Sequence, residues 1–242
     1  MKTKKPFLSI IVPIYNEEKR LTRGITQILK FIDKQSFPVE LIVVNDGSTD
    51  ATNKLLKNLK HASLQLIYYE KNQGKGYAVQ KGMQNAKGVW RLFMDIDLST
   101  PIEEFHKFLP HFKNFDVVIG SRRTKDSKVL VHQAFLREWL GSVFTWLSST
   151  FLRVGISDFT CGFKCFSKDA ASKLFSLQRL DGWGFDSEIM FLAQKEGFLI
   201  KEVPVTWSND SQTRVTLIKD VYRSLIDLIK IRVNDVLGKY SK

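Results

Sequence analysis

The sequence predicts an α/β fold whose mostly parallel central sheet is covered by helices on both faces. Short β-branched or aromatic runs recur through the first half of the chain, and longer segments of helical period separate them. The runs are FLSIIVPI, VELIVVN, LQLIYYE, VWRLFMD and DVVIG, and the helical segments are 18–32, 49–59 and 75–86. This alternation is typical of βαβ units, in which ligands bind beyond the carboxyl ends of the strands.

Length and composition predict one domain over residues 1–242. A chain of 242 residues with 43% apolar residues buries one large core or at most two small ones. We find no repeat and no linker rich in Pro, Gly or Ser, so nothing suggests a boundary. The formal charge of +12 is spread along the chain and favours an acidic partner. A basic, non-enzymatic nucleotide- or nucleic-acid-binding module is the weakest interpretation, because neither a zinc finger nor an RNA-binding fingerprint is present.

The cysteines and the first apolar run indicate the cellular compartment of the protein. Cys161 and Cys165 are too few for a disulfide framework and lack the spacing of a zinc site, which fits a reducing compartment. Residues 7–14 are too short to be a signal peptide or a membrane span. We therefore expect the protein to stay in the cytoplasm.

Polar residues follow each of the first four predicted strands. They lie within the segments 13–17, 45–50, 72–76 and 95–97. Taken alone, each has an ordinary explanation: DGSTD fits a turn with a helix cap, GKG lacks the full P-loop spacing, and Asp-x-Asp is common by chance. Since parallel strands end at the same edge of a sheet, the four polar segments are expected to lie together. Their shared location predicts a ligand site at that edge.

The pair Asp95 and Asp97 predicts a metal site. Side chains alternate along an extended segment, so these two carboxylates can point to the same side and converge on one cation. Hard oxygen ligands favour Mg²⁺ or Mn²⁺, and Mg²⁺ usually completes its coordination with waters and substrate phosphates. The residues that follow predict a helix start, with Thr100 as the cap, Pro101 at the first position and Glu103 closing a capping box.

The order of these motifs resembles the inverting GT-A glycosyltransferases of family 2, and within them the dolichyl-phosphate or polyprenyl-phosphate glucosyltransferases and mannosyltransferases. The matching segments are SIIVPIYNEE, VVNDGSTD, NQGKGYAVQKGM, MDIDLSTP, VVIGSRR, SDFTCGFKCFSKDAASKLF and WGFDSEIMFLAQKEGFLIKEVPVTW. Two positions depart from the family pattern. Asn45 replaces the first aspartate of the commoner DDGS, and Ile96 replaces a small residue between the metal aspartates.

The resemblance implies a role for each motif residue. The donor nucleotide would contact Pro13, Tyr15, Glu17 and Asp46. Asp95 and Asp97 would hold Mg²⁺ or Mn²⁺ on the diphosphate, with Ser99 as a third ligand and Lys75 nearby. Phosphate groups would lie near Arg122 and Arg123. The sugar and acceptor side would be lined by Asp158, Asp186 and Glu188, and the catalytic candidates are Asp97, Asp158 and Asp186.

Two apolar segments of the second half predict amphipathic helices at a membrane interface. Residues 130–154 are rich in Leu, Phe and Trp and nearly long enough to span, but Arg137 and Glu138 make spanning costly. Residues 215–237 carry apolar residues at helical spacing, and 214–242 contain seven Lys or Arg and three Asp, a balance of 7 − 3 = +4. A core helix with a solvated face is the alternative for each. We expect peripheral binding on the cytoplasmic face of an anionic membrane.

The expected activity is transfer of a sugar from a nucleotide-sugar donor, with UDP-glucose favoured, to a polyprenyl or dolichyl phosphate. One inverting displacement would give a β-linked glycosyl phosphate lipid, while the metal and Lys75 offset the charge of the departing diphosphate. A lipid phosphate is already anionic, so it needs positioning more than proton removal. The enzymatic alternative is a family 2 transferase acting on a sugar hydroxyl, for which Asp186 or Asp158 would be the base. The sequence leaves the oligomeric state open.

Overall fold

A central sheet of parallel and antiparallel strands runs through the protein. The structure is a computed structural model that describes residues 5–210 and 217–241. The strands are β1 Leu8–Ile14, β2 Val39–Asp46, β3 Leu64–Tyr69, β4 Trp90–Met94, β5 Val117–Ser121, β6 Lys128–Val131, β7 Phe163–Ser167, β8 Ile200–Pro204 and β9 Thr206–Ser208. The large sheet has the order β3-β2-β1-β4-β7-β5-β8, and β6 pairs with β9 beside it. Only β7 runs against its neighbours in the large sheet, so the predicted mostly parallel sheet is confirmed.

Helices cover both faces of this sheet, as the sequence predicts. They are α1 Leu21–Asp33, α2 Thr52–Lys57, α3 Lys75–Asn85, α4 Phe135–Leu152, α5 Lys168–Leu177, α6 Phe185–Lys195 and α7 Leu217–Val236. Successive residues of β1 point to opposite faces. Ile10 therefore packs with α1 and the short 3₁₀ helix Ile102–Lys107, while Ile11 packs with α3, α5 and α6. Each face has its own hydrophobic core.

The register of the parallel strands aligns their carboxyl ends. Ile14 of β1 pairs with Asn45 of β2, and Asn45 pairs in turn with Tyr68 of β3. On the other side of β1, Ile11 pairs with Phe93 of β4, which carries Asp95 to the same edge two residues later. The polar segments after the first four strands therefore lie along one rim, and we call this edge the donor rim.

The capping box predicted at Thr100 is wrong. The segment that begins there is a 3₁₀ helix, Ile102–Lys107, and no side chain among the described residues caps its N-terminus. The Thr100 hydroxyl is buried beside the Cys161 Sγ at 3.9 Å, so it is turned into the core. Glu104 accepts a hydrogen bond from the Thr206 backbone N–H at 3.0 Å and ties this segment to β9.

The two amphipathic helices are present with shorter bounds than predicted. Residues 130 and 131 belong to β6, so α4 begins only at Phe135. The other helix, α7, covers Leu217–Val236, and residues 215 and 216 lie outside the described part of the chain. The Arg232 Nε donates to the Phe151 carbonyl at 3.0 Å where α7 packs against α4. Across residues 5–210 and 217–241, none of the helices is both long and apolar enough to cross a membrane.

Glu188, which the resemblance implies on the acceptor side, is instead part of a buried structural network. Its side chain is fully buried in α6, and its carboxylate accepts hydrogen bonds from the backbone N–H groups of Arg179 and Leu180. The Tyr240 hydroxyl donates to the same carboxylate at 2.5 Å. This network fixes the end of the chain after α7 to the start of α6.

Replacing Tyr240 with Phe removes the donor of that charge-assisted hydrogen bond. We expect Tyr240→Phe to lower the free energy of unfolding by about 1.5–3 kcal/mol, as measured by urea denaturation. Tyr68→Phe is the matched control, because Tyr68 is 45% exposed and its loss should cost less than about 0.5 kcal/mol. Equal stability of Tyr240→Phe and the parent would contradict this role for the Glu188 network.

Candidate active site

Asn16 locks the first two loops of the donor rim together. It has a left-handed backbone with φ 53°, a conformation that Asn tolerates better than most residues. Its Oδ1 accepts from the backbone N–H of Thr49 at 2.7 Å, while its own N–H donates to the Ser48 Oγ at 2.8 Å. The DGSTD segment therefore leads into α2, where the Asp50 carboxylate accepts a hydrogen bond from the Thr52 N–H, and it also braces the loop after β1.

The three donor residues predicted in the first loop differ in exposure. Pro13 is buried in β1, whereas Tyr15 is 37% exposed at the rim. The Glu17 carboxylate is held by both Nε and Nη2 of Arg20, at 2.7 and 2.8 Å. A second ion pair joins Arg20 to Asp210 at 3.2 Å. Contact of these three residues with a nucleotide stays a prediction, and Arg20 is a rim residue that sequence reasoning missed.

Asp46 shapes the loop that precedes Lys75. Its carboxylate is buried and accepts hydrogen bonds from the Asn72 side chain at 2.8 Å and from the backbone N–H groups of Gln73 and Gly74 at 2.7 and 2.9 Å. Gly74 has φ 112°, and a Cβ there would meet the Asp181 carbonyl oxygen at 2.3 Å. Asp46 therefore positions the glycine turn, and its direct contact with a donor base stays a prediction.

Lys75 lies at the centre of the donor rim, in the first turn of α3. Its Nζ forms an ion pair with Asp95 Oδ1 at 2.7 Å and stands over the rings of Phe93 and Trp183, at 5.2 and 4.9 Å from their centroids. Burial opposes the charged form, but the nearby carboxylates of Asp95 and Asp186 outweigh it and raise the pKa of Lys75. The ammonium is therefore kept charged at neutral pH.

The metal pair sits where the chain turns away from β4. Burial and then the charge of Asp95 raise the pKa of Asp97, while the Ser99 backbone N–H donates to Asp97 Oδ1 at 2.9 Å. The Asp95 N–H donates to the Gly162 carbonyl at 3.2 Å. A Cβ at Gly162 would approach Asp95 Oδ2 to 1.9 Å, so a larger residue would displace the carboxylate.

This donor set fits a divalent cation. Asp97 is buried beside the Asp95 carboxylate, and the Lys75 ammonium that pairs with Asp95 leaves room for further positive charge. The described residues contain no cluster of three or more His, Cys, Asp or Glu that would form a complete metal site. Two carboxylates are enough for Mg²⁺ or Mn²⁺ when substrate phosphates and waters supply the other ligands. Asp95 and Asp97 are thus the residues that would hold the ion, and ligation by Ser99 stays a prediction.

Arg122 and Asp158 form a second charged pair after β5. Arg122 Nε and Nη2 donate to the two Asp158 oxygens at 2.7 Å each, and the guanidinium stands 5.3 Å from the Trp207 ring centroid. Burial alone would raise the pKa of the fully buried Asp158, yet Arg122 lowers it to about 2. A carboxylate held in this way is a weak base, so the structure favours a positioning role for Asp158 over general-base catalysis.

Arg123, the second arginine of this turn, links the sheet to α4. Its Nη1 donates to the Ser142 Oγ at 2.7 Å, and its side chain is exposed. The basic turn after β5 therefore ends on the helix that carries the exposed aromatic residues. Binding of a phosphate group by Arg122 and Arg123 stays a prediction.

Asp186 is buried against a lysine that sequence reasoning missed. It lies in the first turn of α6, and Lys164 Nζ donates to its Oδ1 at 2.6 Å and to the Cys161 carbonyl at 2.6 Å. Burial raises the pKa of Asp186, although Lys164 and Lys75 oppose the rise. The signal for this pair was the lysine inside the apolar run FKCF of β7, since a buried lysine requires a partner.

Residues 9–175 match the family described as "Glycosyl transferase family 2". A curated relative from Trichomonas vaginalis, named dolichyl-phosphate beta-glucosyltransferase ALG5C, is 33% identical over 94% of this chain and 71% of its own length. The dolichyl-phosphate beta-glucosyltransferases of Dictyostelium discoideum and Saccharomyces cerevisiae are 32% and 30% identical, over 96% and 97% of this chain and 76% of each relative.

Solved structures share the fold at low identity. Mannosyl-3-phosphoglycerate synthase from Rubrobacter xylanophilus has a TM-score of 0.70 at 17% identity, over 98% of this chain and 76% of its own. Glucosyl-3-phosphoglycerate synthase from Mycobacterium tuberculosis, crystallised with Mn²⁺ and UDP-glucose, has a TM-score of 0.67 at 19% identity, over 93% and 79%. These similarities confirm the predicted GT-A fold.

The perturbed Asp97 predicts a stability effect that depends on pH. Because its pKa in the fold is raised, keeping Asp97 ionised costs stability above that pKa, and the cost disappears as pH falls through it. We therefore expect Asp97→Asn to melt at a higher temperature than the parent at pH 7, with the two curves converging as pH is lowered. Thermal melts across pH measure this, with the exposed Asp126→Asn as control. A lower melting temperature of Asp97→Asn at pH 7 would rule out this account.

Proposed function

This chain belongs to glycosyl transferase family 2, and we propose that it transfers glucose from UDP-glucose to a polyprenyl or dolichyl phosphate with inversion at the anomeric carbon. The observation that carries the proposal is the contact between Arg123 and Ser142, which joins the basic turn after β5 to the helix with exposed aromatic residues. The names of the relatives support the acceptor class, and the UDP-glucose complex of the M. tuberculosis enzyme supports a nucleotide-sugar donor.

The donor rim binds and orients the nucleotide-sugar. Asp95 and Asp97 hold Mg²⁺ or Mn²⁺, which when bound offsets the negative charge of the donor diphosphate. Lys75 contributes a charged ammonium that Asp95 and the Phe93 and Trp183 rings already hold in place. A preorganised cation beside the departing diphosphate stabilises the charge that develops there without reorganisation during the reaction.

The acceptor enters from the α4 side. Arg122 is fixed by Asp158, while Arg123 reaches α4, so their two guanidinium groups mark the point where a lipid phosphate would meet the donor rim. The phosphate is already anionic near neutral pH and attacks without a general base. The residues of the site therefore contribute chiefly alignment, which is worth several orders of magnitude in rate.

A sugar hydroxyl acceptor is the second candidate, and the carboxylates argue against it. Such an acceptor needs a base near the reacting atoms. The pKa of Asp158 is about 2, and Asp186 is 5% exposed with Lys164 bonded to one of its oxygens. An anionic acceptor fits this site better because it requires neither carboxylate to take a proton.

We propose peripheral binding to the cytoplasmic face of a membrane, and the exposed residues of α4 and α7 support the contact with lipid. Phe135, Trp139 and Trp146 share one face of α4 and are 83%, 54% and 65% exposed. On α7, Ile229 and Val236 are 57% and 86% exposed. Exposed aromatic and aliphatic side chains on helices that cannot span are characteristic of helices lying in the membrane interface.

A donor-by-acceptor assay tests the transfer. UDP-glucose and GDP-mannose are each offered to a short polyprenyl phosphate and to a glucoside with a free hydroxyl, and products are identified by mass. We expect UDP-glucose alone to yield a glucosyl phosphate lipid. This product should be lost when a chelator is added and should return with Mg²⁺ or Mn²⁺.

Lys75→Met should lower kcat at least about tenfold more than it raises KM, because the Lys75 cation acts on the charge of the leaving group.

Two results would contradict this proposal in different ways. Full turnover in excess chelator would remove the metal role of Asp95 and Asp97. Glucosylation of the hydroxyl acceptor with no lipid product would replace the acceptor class and leave the donor assignment standing.

Membrane binding predicts that a triple variant of the α4 face loses contact with lipid. We expect Phe135→Ser/Trp139→Ser/Trp146→Ser to reduce both liposome binding and lipid glucosylation, while UDP binding is retained because the donor rim lies on other segments. Phe144 is a poor choice for this test, since it packs against the hydrophobic core. Thr150→Ala, at an exposed polar position on the same face, is the control. Undiminished sedimentation of the triple variant with liposomes would refute the assignment.

A further inference from the structure

A basic groove lies beside α7, away from the residues assigned to catalysis. It has a volume of about 900 Å³ and runs between α7 and the segment 179–182. Its basic lining residues are Arg179, Arg223, Lys230 and Lys239. Two acidic residues, Asp181 and Asp227, also line it, so its balance is 4 − 2 = +2. The groove therefore carries net positive charge that the donor rim does not use.

The basic side chains of the groove are only partly neutralised. Lys230 pairs with Asp227 at 2.9 Å, and Arg179 donates to the carbonyl of Lys239 at 3.1 Å. Arg223 and Lys239 form no ion pair with other described residues. At least two cationic groups are thus available to an anion that enters the groove.

The same groove has an apolar side that continues onto the surface of α7. Ile226, Ile229 and Val233 line it, and Ile229 and Val233 are 57% and 48% exposed. Tyr222, seven residues before Ile229 on the helix, is 66% exposed. Apolar residues continuous with a cationic cleft match a molecule that has both an anionic group and hydrocarbon.

We propose that this groove binds the phosphate-bearing headgroup of an anionic membrane phospholipid. The proposal rests on the peripheral membrane binding inferred above, and it adds a defined headgroup site that is separate from the acceptor site. Basic residues near an anionic lipid surface contribute attraction that adds to apolar insertion. The exposed row of α7 would enter the interface while Arg223, Lys230 and Lys239 meet the phosphate.

Segment 181–184 separates the groove from the donor rim. On the rim side, the Asp181 carbonyl accepts from the Tyr77 N–H at 3.1 Å, and the Trp183 ring covers the Lys75 Nζ. On the groove side, Asp227 of α7 lies against Gly184, where an added Cβ would meet it at 2.5 Å. A headgroup bound in the groove would therefore hold α7 against the segment that covers Lys75.

The lining disfavours a nucleic acid as the occupant. Grooves that bind single strands combine positive charge with aromatic side chains on which bases stack. The lining of this groove has no aromatic residue among the described residues. A free phosphate ion would use the cations but leave the apolar row without a partner.

The test compares two charge-matched triple variants in vesicle binding. One is Arg223→Gln/Lys230→Gln/Lys239→Gln in the groove, and the control removes three exposed lysines on and after α2, as Lys54→Gln/Lys57→Gln/Lys60→Gln. Binding is measured by flotation with vesicles of phosphatidylcholine alone and of equal parts phosphatidylcholine and phosphatidylglycerol, without donor or polyprenyl phosphate. We expect the groove variant to bind the anionic vesicles about a hundredfold more weakly than the parent and the control less than about threefold, with UDP binding unchanged in both.

Several results would overturn the groove as a headgroup site. Equal losses in the two triple variants would mean diffuse surface attraction. Equal parental binding to both kinds of vesicle would mean that lipid charge is not recognised. Competition of inorganic phosphate against anionic vesicles at equal concentration would indicate a site for the free ion, and loss of oligonucleotide binding in the groove variant alone would indicate a nucleic acid. The vesicle test measures no sugar transfer. If the polyprenyl phosphate failed as an acceptor in the activity assay, the vesicle test would still decide whether the groove binds a headgroup.

Discussion

Parallel hydrogen bonding between β1 and its neighbours β2 and β4 is the constraint on which the candidate site depends. Pairing Ile14 with Asn45 and Ile11 with Phe93 brings three strand ends to one edge. Each end then delivers backbone and side-chain polar groups that would be costly to bury without partners. The loops satisfy one another: Asn16 binds the DGSTD segment, and Asp46 binds the turn before Lys75. A change of register in any of these strands would separate groups that now neutralise or bond each other.

The two carboxylates Asp158 and Asp97 differ in how far nearby positive charge neutralises them. Asp158 has its charge fully matched by Arg122, which keeps it ionised and rigid. Asp97 lies near the Lys75 ammonium that Asp95 pairs with, and burial and then the charge of Asp95 raise the pKa of Asp97. The first arrangement stabilises the fold, whereas the second costs stability and leaves a place for a divalent ion. This contrast separates a carboxylate that supports the site from one that is available to a ligand.

The second half of the chain connects this charged rim to the two amphipathic helices. Arg123 reaches Ser142 on α4, and Asp227 of α7 lies against Gly184 in the segment that covers Lys75. Both helices also carry exposed apolar residues. Contact of these helices with lipid would therefore act on segments that touch the donor rim. Helix α4 would act through the basic turn after β5, and α7 through residues 181–184.

The α/β class, the succession of strands and the polar residues at the strand ends could be predicted from the amino-acid sequence, because period-2 and helical patterns and strand-end polar residues are local signals. Which charged groups meet depends on how the chain folds. Lys164 lies 22 residues before Asp186, and Arg122 lies 36 before Asp158, so neither pair has a local signature. The same limit explains the errors: Thr100 and Glu188 carry polar groups that fit a cap or a ligand site, but packing turned both into the interior. A carboxylate's role is set by its burial and its partners, and those are properties of the folded chain.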